Sequence, residues 1–136
     1  SPTARPGAMK PVPGAVLRAE LDLTHWLTLG YGTADLPVLA RGDDVLTLSP
    51  GGANPVVFPD RGPVEGTVIS GFVWPGNTIR LLRGAAHAVV EREGRGGVVL
   101  FATDPNFRLV WRATARLFAN AVLLGPSLGT APGSGG

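Results

Sequence analysis

Two histidines, one serine motif, three regularly spaced arginines and two tryptophans are the side chains here whose types and spacing could do chemistry. Asp22, Thr24 and His25 lie close enough in sequence to suggest a carboxylate-oriented imidazole. No third group or metal partner can be named for them, so a histidine capping a turn is the simpler reading. His87 sits between alanines in an apolar run and reads as a packed strand residue. Gly125-Pro126-Ser127-Leu128-Gly129 matches the G-x-S-x-G pattern of a nucleophile elbow, which needs a strand before the serine and a helix after it. The residues before Ser127 are helix-patterned and those after it are Gly- and Pro-rich, so a catalytic serine is not expected. No residue is assigned a catalytic or metal-binding role.

The remaining candidates are binding residues. Arg108, Arg112 and Arg116 recur every four residues and form one stripe on a helix. Such a stripe suits an anion or an acidic partner, or else a solvated face whose arginine stems cover apolar surface. Three arginines without interleaved aromatics do not make a nucleic-acid footprint, and nucleic acid is not expected as a partner. Asp104, Asn106 and Arg108 read as a structural turn, with the carboxylate at a helix N-cap and Pro105 in the first helical position. Trp26 and Trp74 lie near turns, where an amphipathic ring suits a peptide, a glycan or a neighbouring domain.

The elements that must position these groups follow from periodicity. Val98-Val99-Leu100-Phe101-Ala102 reads as a buried strand. After it, Phe107, Val110, Trp111, Thr114, Leu117, Phe118, Ala121 and Val122 fall at three- and four-residue intervals, one face of a long helix that ends near Leu124. Upstream, strands are predicted over 15–22, 36–41, 45–48 and 68–73, with 55–59 at most a short edge strand because prolines bound it. Val45–Leu48 is expected to return as the hairpin partner of 36–41. Gly71 inside its strand implies a bulge or a close backbone approach. Short helical turns are expected after Thr24 and after Pro75. Ala86–Glu93 and Gly97–Ala102 should pair across Gly94-Arg95-Gly96. The prediction is an α/β chain: a mixed, strand-rich sheet of six or seven short strands covered by one long C-terminal helix.

Composition sets the frame for this. The 136 residues suffice for one domain with a real core, and 20 Gly and 13 Pro argue against a helix bundle. A net charge of +2 brings no electrostatic steering of note, and no apolar run is long enough to span a membrane, so none is expected as a partner. The lack of cysteine excludes disulfides, thiolate metal sites and cysteine nucleophiles. Residues 1–12 and 126–136 read as linker or disordered tail around a domain over 13–125. A first residue that is Ser rather than Met suggests a piece of a longer polypeptide.

Two passages add a resemblance. GRGGVVLFATDPNFRLVWRATARLFANAVLLG, residues 94–125, resembles the closing part of a class I glutamine amidotransferase-like domain, with its D-P-x-F-R turn and Leu-Phe-x-Asn-Ala helix. More narrowly it looks like the version at the C-terminus of certain bacterial zinc carboxypeptidase-family proteins. PGAVLRAELDLTHWLTLGYG, residues 13–32, resembles the same subgroup. The resemblance implies a flavodoxin/amidotransferase-like fold, and since such domains are usually longer it allows for an incomplete one. The residues depart from it where chemistry is concerned. There is no nucleophilic cysteine, and neither His25 nor His87 begins an H-x-x-E pair. The implied function is a non-catalytic accessory domain of a zinc metallocarboxypeptidase-like protein, exported to the periplasm or beyond. No cofactor is expected in this chain; zinc would belong to the parent's separate catalytic domain upstream. The alternatives are a binding module for peptide, glycan or an acidic partner, and a structural domain that self-associates.

Overall fold

A computed structural model describes residues 9–94, 96–102 and 112–128. Its strands are β1 (Val12–Leu21), β2 (Asp35–Gly42), β3 (Ala53–Val57), β4 (Val68–Phe72), β5 (Ala86–Glu93) and β6 (Gly96–Phe101). Two helices follow β4 and β6, namely the short α1 (Thr78–Leu82) and the long α2 (Arg112–Leu128). The strand order is β2-β1-β3-β5-β6, with β4 paired to β1 beside β3, and every ladder is antiparallel. The sheet curls into a half-barrel.

This overturns the flavodoxin/amidotransferase-like α/β expectation. Parallel strands need a crossover of a dozen or more residues, usually a helix lying on the sheet. Here β5 and β6 meet in a tight hairpin, and α1 is the one α-helix between described strands, five residues long. The apolar segments were legible, and so was the β5–β6 hairpin; the other pairings were not.

Alternation explains the inner face. Ala15, Leu17, Ala19 and Leu21 of β1 point inward, and Ala40, Val38 and Leu36 stand opposite the first three on β2. From β3 and the segment after it come Val56 and Phe58, and from α1 come Ile79, Leu81 and Leu82. Strand β5, between β3 and β6, is buried on both faces from Ala86 to Val90, whereas Val98 of β6 is exposed and β6 ends the described strand order. The run 98–102 is therefore not the buried strand its composition suggested, because apolar content alone does not distinguish centre from edge.

Three further expectations change. Residues 45–48 do not pair with β2; Leu46 forms a single bridge to Ala86, and the partner of β2 is β1. Far from being an edge, β3 lies between β1 and β5. Pro55 is tolerated there because the β3–β5 register shifts between Ala53 and Val56, a bulge that requires no donor from proline, while the Pro55 carbonyl accepts from Asp22 N at 2.8 Å. Gly71 makes the close approach, the second of the two alternatives: a Cβ there would stand 2.5 Å from the Gly14 carbonyl oxygen, while Gly71 itself pairs in register with Ala15 and the β1–β4 shift falls between Val68 and Ser70.

Helix α2 packs on the 3₁₀ turn Trp26–Thr28 and on β2 and β6, so it spans the seam between the two outer strands of the half-barrel. Its inner face is Thr114, Leu117, Asn120, Ala121 and Leu124. Phe118 and Val122, expected inward, face solvent instead. The cause is Asn120: its amide nitrogen donates to the carbonyls of Leu27 at 2.8 Å and Leu29 at 2.9 Å. A buried amide with two good acceptors outweighs a purely apolar choice of face, since orphaned carbonyls would cost more.

Candidate functional site

A cleft of about 720 Å³ opens between the start of β4, the α1 region and the segment 60–65. Strand β1 pairs with β4 through Gly14–Leu17 and with β3 through Glu20 and Leu21, on the same side. From β4 the chain runs through Val73 and Trp74 into α1. Val68, Val73, Trp74 and Ile79 form the apolar floor, and Arg80 and Arg83 of the α1 region form one wall. The other wall is the strap 60–67, carrying Asp60, Val64 and Glu65.

Trp74 is held rigidly. Its indole Nε1 donates to the Pro11 carbonyl at 2.8 Å, its backbone N to Thr78 Oγ1 at 2.9 Å, and Phe72 meets its ring edge-on at 5.1 Å. Lys10 Nζ lies 5.4 Å from the ring centroid, a cation–π contact of about 0.5–1 kcal/mol at such an exposed site. The lysine is fixed in turn through its backbone N, which donates to Asn77 Oδ1 at 2.8 Å. Arg80 Nε donates to the Gly76 carbonyl at 3.0 Å. Val64 and Phe72 are both 48% exposed, so the apolar surface continues past the cleft mouth.

The strap is attached through arginines. Arg83 Nη2 donates to the carbonyls of Arg61 and Gly62, Arg18 Nε donates to the Gly66 carbonyl, and Arg61 pairs with Glu20. On the strap's far side lies a second cleft of about 650 Å³, lined by Arg18, Glu20, Asp35 and Arg61. Its charges neutralise one another in the Arg18–Asp35 and Arg61–Glu20 pairs. It offers a ligand little that its own side chains have not taken.

The residues singled out in the sequence do not converge. Trp26 is buried beneath α2 against Gly125, far in the fold from the exposed Trp74, so the two do not share a platform. Arg116 lies over Gly30, and its charge acts on Tyr31, whose hydroxyl burial pushes above its usual range. Arg112 opens α2, and Arg108 lies outside the described residues together with Asp104 and Asn106. Sequence reasoning missed the strap, α1 and β4 as one site. Only Trp74 and Gly71 hinted at it.

The histidines are separate too. His25 caps the 3₁₀ turn, as the simpler reading of the sequence has it: its Nδ1 accepts from Leu27 N at 3.0 Å. Asp22 turns its carboxylate to the Thr24 N–H and hydroxyl, which hold its pKa down. Burial lowers the His25 pKa, and the Asp22 charge opposes that only in part. In β5, His87 meets Phe58 edge-on at 6.0 Å, and burial pushes its imidazole down to about 4. The Nε2 of each ring is buried without a hydrogen-bond partner. Among the described residues no three His, Asp or Glu side chains group as metal ligands. No protein-family model, curated protein or solved structure matches the chain.

Proposed function

We propose that this domain is a non-catalytic binding module that takes an extended peptide segment in the cleft between the strap and α1. The supporting observation is the cleft's construction, an apolar floor beside a rigidly held, partly exposed Trp74, with charges of both signs at the rim. An apolar side chain would enter over Val68 and Ile79. Neighbouring residues of the peptide would meet Arg80 on one side and Asp60 or Glu65 on the other. Aromatic and arginine contacts of this kind dominate recognition energetics. A display library of random peptides tests the reading. Enriched binders should alter Trp74 emission and lose about tenfold or more in affinity against Val64→Asp and Arg80→Glu variants. Binders indifferent to both substitutions, or none at all, would refute it.

The accessory role beside a zinc metallocarboxypeptidase-like catalytic domain is a second proposal. It is favoured by the uncharged strand β4, Val-Ile-Ser-Gly-Phe, whose outer edge forms no ladder among the described residues and could receive a neighbouring domain. The polypeptide encoded upstream of Ser1 decides this: an H-x-x-E pair with a later histidine would support it, and a stretch without them would remove it.

A further inference from the structure

Helix α2 is apolar on two faces. The inner one is used by the half-barrel. The outer one carries Ala115, Phe118, Ala119, Val122, Leu123 and Pro126, with Val122 56% and Leu123 75% exposed. From Leu117 to Leu128 the helix has no charged residue. A solvated helix ordinarily places charge on such a face.

The spacing of the outer residues is symmetric about the bond between Asn120 and Ala121. Turning the helix end for end sets Ala115 against Pro126, Phe118 against Leu123 and Ala119 against Val122. Phe118 of each copy then meets Leu123 of the other, and each of the two alanines lies against a larger residue, Pro126 or Val122. A face with this property is complementary to itself under a two-fold axis, as an isologous dimer interface must be.

Charge points the same way. Both arginines of α2, Arg112 and Arg116, lie in its first two turns, and its last turn has no basic residue. That is the unfavourable end for cations in an isolated helix. In the antiparallel arrangement Arg116 comes level with Gly125 of the other copy, beside the carbonyls of a final turn. One of these, that of Val122, has no intrahelical donor because the residue four positions on is Pro126.

We propose that α2 is the interface of a homodimer, two copies pairing their outer α2 faces antiparallel about a two-fold axis near residues 120 and 121. The inference is independent of the peptide cleft, which lies at the β4–α1 side of the domain. Light scattering and sedimentation from micromolar to millimolar protein should show a dimer. Leu123→Arg, which alters an exposed side chain and should leave the circular dichroism unchanged, should weaken dimerisation by at least about tenfold. Because the chain has no cysteine, Phe118→Cys and Leu123→Cys single variants give a clean geometric readout. An equimolar mixture should form the mixed disulfide in preference to either homodisulfide. A monomer throughout the concentration range, a dimer untouched by Leu123→Arg, homodisulfides predominating, or a monomer that instead binds anionic phospholipid vesicles through this face would each overturn the proposal.

Discussion

At the scale of single residues, buried polar groups do more to define this molecule than its exposed charges. His87 has a folded-state pKa of about 4 against 6.5 in the unfolded chain. As pH falls, the unfolded chain binds its proton first. Stability is therefore full above pH 6.5, declines from there to about 4, and is insensitive to this group below that. The decline amounts to at most about 1.4 kcal/mol per pH unit. His25 acts in the same direction. Urea titrations across that window should show the fall, and His87→Leu, which also removes an unpartnered Nε2, should flatten most of it. Asn120→Leu should do the opposite of what a hydropathy scale suggests. Orphaning the carbonyls of Leu27 and Leu29 should cost about 2–4 kcal/mol in chemical denaturation. The Leu-Phe-x-Asn-Ala pattern was visible in the sequence, but its inward asparagine was not, since its acceptors lie some ninety residues away and no local rule pairs them.

At the scale of elements, the strap and the β1–β4 crossing carry the testable content. Gly71 has φ +88°, and a side chain there would strike the backbone of Gly14 and Ala15. Both strands would have to part. Gly71→Val should destabilise the domain by roughly 2 kcal/mol or more, measured by thermal unfolding. The strap's residues from Asp60 to Gly66 are all exposed, so its order depends on the arginines that reach it. Arg83→Ala should raise the rate of proteolytic cleavage within 60–67 severalfold while changing the global unfolding free energy by no more than about 1 kcal/mol. Strand and hairpin positions were largely legible because alternation and glycine turns are local signals. The β5–β6 hairpin lies where the glycines put it, with Gly96 already paired to Glu93. The interior place of β3 was not, since Pro55 argues for an edge unless the bulge that accommodates it is known.

At the scale of the whole molecule, a strand count does not determine a topology. Six short strands and one long helix suit a layered α/β sheet and a curled antiparallel one equally well; the lengths and helix content of the connections decide between them. The cleft was illegible for the same reason, since it exists only because the segment 60–65 and the α1 region come together beside the start of β4. The seam between β2 and β6 is covered by a helix that follows every described strand. During synthesis the sheet must therefore wait, with Leu27 and its neighbours bare, until the final turns of α2 have left the ribosome. A nascent chain halted before residue 112 should be a strong client for chaperones that grip greasy segments, and release from them should coincide with emergence of Asn120.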